Sequence, residues 1–383
     1  MPRLPALDQM LSGLIATPSI SSVTPEFDMG NREVVDLLAA WLEDAGFSVE
    51  VLPLERFPNK ANLIATLGDG EDGLILSGHT DTVPYDEGRW QHDPFAVTED
   101  GGRLYGLGTA DMKSFLALAI EAARDFDAAT LKRPLIIVGT ADEESSMDGA
   151  RMLARLGRPR ARYCIIGEPT GLQPVNRHKG IIMEAVRILG RSGHSSDPAQ
   201  GANALEGMHK VMGEILAWQA DLKAQRNPAF AVPYPTLNLG HIHGGDNPNR
   251  ICPECELHFD LRPLPGMHID ELREELRQRV AKALADSDLR FETHSLFSGI
   301  EAFETTEESP LVDLTETLSG RSSLSVAFAT EAPFYQQLGI ETLVMGPGRI
   351  DQAHQPDEFI ERAALAEATD LLRRLIRKVC VEN

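Results

Sequence analysis

The sequence predicts an α/β protein: a mixed, largely parallel sheet with helices on both faces, interrupted by a smaller inserted α+β domain. Three observations carry this. At 383 residues the chain is longer than one core usually fills, so two domains are expected. The first third alternates short apolar runs with amphipathic segments, the pattern of parallel strands joined by crossover helices. From about residue 178 the pattern shifts to long helices between strands of period two, and near residue 290 it returns to the earlier one.

Taken in order, Val34–Ala45 has apolar residues at helical spacing and ends at Gly46. Ser48–Leu54, Asn62–Leu67 and Leu74–His79 read as strands. Ser114–Asp127 is an amphipathic helix, Leu135–Thr140 a buried strand, Asp148–Leu156 a helix and Tyr163–Gly167 a second buried strand. The insertion offers strands at Ile182–Leu189, Thr236–His243 and Glu254–Arg262, with helices at Asn203–Leu222 and His268–Ala285. Glu341–Met345 reads as a buried strand and Glu358–Val379 as a long closing helix. The expected domains are therefore residues 1–177 and 289–383 together, with 178–288 inserted between them.

Composition narrows the function. Hydrophobic residues at 42% and charged residues at 25% fit an ordinary globular protein. A formal charge of −22 argues against nucleic acid and anionic membranes, whose phosphates recruit basic surfaces. It is compatible with a cationic or zwitterionic substrate or with divalent metals. The apolar runs fall short of the ~20 residues a membrane-spanning helix needs. The opening Met1-Pro-Arg-Leu-Pro lacks the features of a secretory leader, and Cys164, Cys252, Cys255 and Cys380 are too few and scattered for a disulfide framework. A cytoplasmic protein is expected.

The chemistry-bearing residues collect at the ends of the expected strands, where open α/β sheets bind ligands. Ser77-Gly-His-Thr-Asp81 puts His79 and Asp81 on one side of a strand, as a metal-ligating imidazole and its orienting carboxylate require; a strand-end His satisfied by a turn Asp fits equally. Tyr105-Gly-Leu-Gly-Thr-Ala-Asp111-Met-Lys113 lacks the spacing of a phosphate-binding loop, and its glycines allow a tight turn that aims Asp111, which could also be a simple helix cap. Thr140-Ala-Asp-Glu143-Glu144-Ser145 sets two carboxylates side by side, costly in a cleft without a cation, though ordinary in a solvated turn. Glu168 follows a buried strand, and His354 lies in the polar loop Gly346–Glu358. Two histidines, several carboxylates and no thiolate suit zinc, cobalt or manganese. These ligands exceed what one tetrahedral ion needs, so two ions sharing a carboxylate, ~3.5–4 Å apart and activating water, are expected.

At these residues the chain resembles the dinuclear-zinc aminoacylase/carboxypeptidase superfamily, in which SGHTDTVP, GxGxxDMK, ADEE, GEPT and a late His recur in this order. Within it, LYGLGTADMK, GTADEE, IIGEPT, SGHSSDPAxG, VPYPTLNLGHIHGGD, NRIC, LRPLPGM, TEAPF and AHQPDEF are most similar to the acetylornithine deacetylases, over essentially the whole chain. The resemblance implies a zinc-peptidase-like fold whose inserted domain serves as lid and dimerisation domain. It implies hydrolysis of N2-acetyl-L-ornithine to L-ornithine and acetate in arginine biosynthesis, by a homodimer. One ion would be held by His79 and Glu168, the other by Glu144 and His354, with Asp111 bridging, Asp81 holding His79, Glu143 acting as general base and a cis peptide after Asp111. His194 would cross to the partner's site and polarise the substrate carbonyl. Asn249 and Arg262 would hold the substrate carboxylate, although Arg262 could instead pair structurally with Asp260 or Glu256, and Glu331 is assigned to the ornithine ammonium. Ser114 stands where the family commonly has Gly.

Other readings stay open at this point: a succinyl-diaminopimelate desuccinylase, an aminoacylase or a dipeptidase with the same metals, or a metal-free binding protein on this fold. Two motifs are set aside. Cys252-Pro-Glu-Cys255 has CxxC spacing without a second pair, and His241-Ile-His243, which could bind metal, is expected to orient lid residues or substrate.

Overall fold

The computed structural model describes residues 4–382; Met1–Arg3, part of the stretch read as lacking a leader, and Asn383 lie outside it. The chain forms two compact units. The first comprises residues up to Asn176, Thr305–Leu324 and Glu331 onward; the second comprises Arg177–Glu304 and Ser325–Thr330. It opens with α1 (Leu7–Ile15), α2 (Arg32–Asp44), β1 (Ser48–Leu54), β2 (Phe57–Leu67), β3 (Leu74–His79), β4 (Thr98–Asp100) and β5 (Arg103–Tyr105). There follow α3 (Lys113–Ala123), β6 (Leu135–Thr140), α4 (Asp148–Leu156), β7 (Tyr163–Pro169) and β8 (Val175–His178), along which the chain leaves the first unit. Then come β9 (Ile182–Leu189), α5 (Ala204–Leu222), β10 (Thr236–Gly244), β11 (Glu254–Arg262), α6 (Ile269–Ala283), β12 (Arg290–Ser295) and β13 (Phe303–Glu304). The return runs through α7 (Pro310–Ser319), β14 (Leu324–Val326), α8 (Ala332–Gln337), β15 (Glu341–Gly346), β16 (Phe359–Glu361) and α9 (Arg362–Ile376).

The sheet of the first unit runs β1-β2-β6-β3-β7-β15-β8. Its centre is parallel: β3 pairs with β6 and β7, and β7 with β15. The flanking pairs β1–β2, β2–β6 and β15–β8 are antiparallel. β3, β6 and β7 are buried at every position, which is why they read as unbroken apolar runs rather than alternating ones. Helix α3 lies close against these strands. A Cβ at Gly167 would fall 2.0 Å from the Phe115 ring, and one at Gly78 2.8 Å from Met112 Cε, so only glycine admits the helix there. Among the described residues no helix is long and apolar enough to cross a membrane.

Some local outcomes differ from the sequence reading. Helix α1 had no counterpart in it. Phe359–Glu361, expected to begin the closing helix, instead forms β16 antiparallel to β5. Tertiary pairing wins because Phe359 packs between the Tyr105 ring (centroids 5.5 Å apart) and the Arg103 guanidinium (4.2 Å), and the helix begins only at Arg362.

The second unit is a four-stranded antiparallel sheet, β10-β11-β9-β12, carrying α5 and α6. Its core joins Val186 and Ile188 of β9, Leu257 and Phe259 of β11, Trp218 of α5 and Leu276 of α6. Arg290–Ser295, placed after the insertion from sequence, pairs with β9 in this small sheet. Cys252 and Cys255 are free and buried.

His178 is fully buried in the second unit. Its Nδ1 lies 2.9 Å from Lys179 O and its Nε2 accepts the Thr330 N–H at 3.3 Å, which holds the neutral Nδ1–H tautomer. Burial pushes its pKa down to about 4. The unfolded chain takes up this proton near pH 6.5 and the folded chain only near 4, so stability falls as pH drops through that window, by up to about 3 kcal/mol. His178→Gln is expected to flatten this part of the stability–pH curve, as measured by urea unfolding at pH 4.5 and 7.5; an unchanged slope would remove His178 as the cause.

Candidate metal centre

The parallel strands β6, β3, β7 and β15 deliver their carboxyl ends to one edge of the sheet, and the site residues of the first unit gather there. His79 closes β3 and Glu168 lies near the end of β7; Asp111 sits in the loop entering α3, Glu143 and Glu144 follow β6, and His354 lies in the loop after β15. Asp111 is the meeting point. Its Oδ1 lies 3.0 Å from His79 Nε2 and its Oδ2 3.5 Å from His354 Nε2. Glu144 Oε2 is 3.0 Å from the same His354 nitrogen. His79, Glu143 and Glu168 form one group whose ligand atoms converge closely enough to hold an ion, and His79, Asp111 and Glu144 form another. The Asp111–Met112 peptide is cis, as the resemblance implies. His354, at φ 58°, borders a cavity of about 240 Å³ lined also by Tyr85 and Trp90.

Asp81 acts differently from the expected carboxylate clamp. Its backbone carbonyl, not its carboxylate, lies 3.0 Å from His79 Nδ1; the carboxylate is 3.8 Å away and accepts the Glu144 N–H at 3.1 Å. One residue thereby fixes the imidazole through its main chain and the Glu144 backbone through its side chain. Glu331 is 1% exposed, accepts from Thr140 Oγ1 at 2.9 Å and keeps a buried Oε1 that has no hydrogen-bond partner.

Three supporting residues escaped the sequence reading. Buried Glu358 accepts the backbone N–H groups of Gly108 (3.1 Å), Ala110 (2.7 Å) and Asp111 (3.0 Å), all on Oε1, and so clamps the loop that carries Asp111. Lys60 donates to Asp142 at 2.6 Å and to Asp28 at 2.7 Å, pinning Asp142, which turns with φ 60° just before the two glutamates. Asn62 accepts the Ala141 N–H and donates to Gly149 O, bracketing the same loop. The Glu in Pro-Asp-Glu358 was visible as a motif, but its target lies about 250 positions away in the chain.

The electrostatics follow from crowding. Burial pushes the Glu143 and Glu168 carboxyls well up, and neighbouring carboxylates add to it: Glu168 for the former, Asp111 for the latter. Burial also opposes ionisation of Asp111, but its contacts to His354 and His79 outweigh it and hold the carboxyl low. Hydrogen bonds to Asp111 and Glu144 raise His354 to about 10. Glu168 Oε1 is buried with no hydrogen-bond partner, an orphaned carboxyl oxygen that a cation would complement. The donor set of imidazoles and carboxylates, with that orphaned oxygen, fits divalent ions of the zinc class.

The remaining expected residues belong to the second unit. His194 is exposed and bonds Ser196 Oγ at 2.7 Å. A bridge between His194 and Arg250 and a Ser195 N–H to Asn249 O bond of 3.1 Å bring the His194 loop beside exposed Asn249. Arg262 Nε donates to both oxygens of Asp260, at 2.9 and 3.1 Å, which is the structural pairing left open from sequence.

Residues 75–378 match peptidase family M20/M25/M40. The chain belongs to that family. It is 48% identical over 381 residues to an acetylornithine deacetylase from Pasteurella multocida, covering 99% of this chain and all of that one. Among solved structures it is similar to a tripeptidase from Staphylococcus aureus, at 18% identity and TM-score 0.74, covering 98% of this chain and 99% of that one. It is likewise similar to a dinuclear metal binding peptidase of family M20 from Bacillus subtilis, at 15% identity and TM-score 0.69, covering 97% and 98%. At these identities the two structures establish the fold: mixed α/β with a largely parallel central sheet.

Glu358→Ala leaves three buried N–H groups without their acceptor, at about 1–3 kcal/mol each if none relaxes. The M20 member is expected to lose stability in urea and to bind zinc at least about tenfold more weakly, while Glu358→Gln, which retains an acceptor, recovers part of both. Unchanged zinc affinity in Glu358→Ala would show that the loop is held by other contacts.

Proposed function

We infer that this M20 protein hydrolyses N2-acetyl-L-ornithine to L-ornithine and acetate, a step of arginine biosynthesis. The observation that carries the substrate is the end-to-end 48% identity with a protein named acetylornithine deacetylase, which favours it over the desuccinylase, aminoacylase, dipeptidase and scaffold readings. The reaction class is supported by the clustered imidazoles and carboxylates at the sheet edge.

In this reading His79 and Glu168 would hold one divalent ion and Glu144 and His354 the other, with Asp111, which presents one oxygen toward each imidazole, shared between them. Zinc is the expected metal, with cobalt or manganese as functional substitutes. When bound, such a pair acidifies water and polarises an amide carbonyl. The protein's own part is proton handling and orientation. Glu143, a member of the His79–Glu168 group, takes the proton from the attacking water and delivers it to the departing amine. Asp81 keeps His79 and the Glu144 backbone in register. Asn249 and Arg262 are assigned to the substrate carboxylate; Arg262 would meet it through its Nη groups, since its Nε is engaged by Asp260. Glu331 is assigned to the ornithine ammonium. His194 is assigned to the substrate carbonyl in a partner protomer, which makes the active species a homodimer; the cytoplasm is its proposed location.

Glu143→Ala is expected to keep its metal and lose turnover by at least about 100-fold, whereas Asp111→Ala loses metal as well, by elemental analysis beside initial rates on acetylornithine. Normal turnover by Glu143→Ala would end the mechanism. Initial rates on acetylornithine and on acetylated neutral amino acids test Glu331: if Glu331→Gln discriminates as the wild type does, that assignment is wrong. For the shared site, inactive His194→Ala and inactive Glu143→Ala are unfolded and refolded together. Recovered activity, against none for either alone, supports a site completed by the partner; no recovery in verified mixed dimers refutes it.

A further inference from the structure

The second unit carries a second constellation of metal-ligating side chains. On β11 the core takes Cys255, Leu257, Phe259 and Leu261, so Glu254, Glu256, His258, Asp260 and Arg262 project from the opposite face of the sheet. On β10, Leu237 packs in the core and Leu239 against it. Strict alternation would send residues 241 and 243 to that same side. The register instead shifts between Leu239 and His241, and this irregularity turns both histidines to the polar face. There His241 stands directly across from His258, and His243 across from Glu256.

The four side chains form a two-by-two array. Directly opposed residues on antiparallel strands have Cβ atoms about 4.5–5.5 Å apart, but the ligand atoms of these four do not converge in this conformation, and side-chain rotation would be needed to gather them around one ion. The rings of His241 and His258 are already 4.9 Å apart, and His258 Nε2 lies 2.7 Å from Glu256 Oε1. The array lines a cavity of about 380 Å³, and Gly244 and Gly245 border it without side chains that would fill it. Around it, Arg187 lies opposite Glu256 on β9, with Nε 3.9 Å from Glu256 Oε2, and His294 adds its field to Glu256 from β12. Glu256 therefore stays ionised, ready to act as a ligand, and the hydrogen bond from His258 is the main cause.

We propose that His241, His243, Glu256 and His258 form an additional site for a divalent transition-metal ion of the zinc, nickel or copper class. Three imidazoles and one carboxylate match the donor preference of these ions and not that of magnesium or calcium, which favour oxygen-only shells. Coordination requires His258 to exchange its bond to Glu256 for a bond to the ion, a rotation on an open face. A bound ion would cross-link β10 to β11 just beyond the irregularity in their ladder, so the site is a clamp on the small sheet.

Copper(II) is the probe, added to the full-length protein previously saturated with zinc. Equilibrium dialysis with elemental analysis counts total metal per protomer, and electron paramagnetic resonance reports nitrogen ligation. Wild type is expected to hold one more ion per protomer than His241→Ala/His258→Ala, with a multi-nitrogen copper signal that the double variant loses. Affinity for this ion should fall at least tenfold in the double variant and remain unchanged in His209→Ala, a surface histidine on α5. Because the result is a difference between two proteins with the same carboxylate-rich centre, it does not depend on how many ions that centre holds. Equal metal content and equal copper spectra in wild type and double variant would overturn the proposal, as would an equal loss in His209→Ala.

Discussion

Asp111 lies between two imidazoles, and most of what surrounds it exists to keep it there. A buried carboxylate is costly, and this one has Glu144 and Glu168 close by. What holds it ionised is the pair of contacts to His79, at the end of β3, and to His354, in the loop after β15. The loop bearing Asp111 has no strand partner of its own. Its shape is set by Glu358, whose carboxyl group gathers the N–H groups of Gly108, Ala110 and Asp111 and gives the segment the acceptor a sheet would otherwise supply.

The same device recurs around the centre. Loops must sit at the edge of the sheet to present ligands, and loops are ordinarily the softest part of a fold. Here each is tied by a buried polar anchor from elsewhere in the chain. Lys60 and Asn62 in the first half of β2 hold the turn carrying Glu143 and Glu144, and the Asp81 carboxylate holds the Glu144 N–H. Burial alone would disfavour the Lys60 charge, but the Asp142 and Asp28 carboxylates more than offset it and its pKa is raised. Replacing such an anchor loses more than its own bond, because its partners are left buried and unpaired. The chemistry at the sheet edge is therefore as rigid as its anchors.

The two units divide polarity in different ways. In the first, strands buried along their whole length push polar residues out to the strand ends, and this concentrates them in one place. In the second, the helices cover one face of an antiparallel sheet and the other face is free to carry charge along its length. A single irregularity in β10 then decides which side two histidines join.

Sequence alone determined the class of fold, most of the elements and the set of residues gathered at the candidate centre. Apolar runs and helical periodicity are local properties, and β1, β3, β6, α4, β9 and β11 have the limits that periodicity assigned. His79, Asp111, Glu144, Glu168 and His354 each had a bland structural alternative; they were legible because imidazoles and carboxylates recur together in successive loops at the ends of the expected strands, in an order that resembles a known family. Tertiary structure decided what depends on distant partners. Glu358 was part of a motif without a visible role, since nothing local announces three amides some 250 positions upstream. Phe359–Glu361 became a strand because Tyr105 and Arg103 were available to pack against. Asp81 orients His79 through its carbonyl rather than its carboxylate, a choice set by the path of the main chain after β3. Periodicity records which way a side chain faces within its own element; which distant group it meets is fixed only when the elements pack.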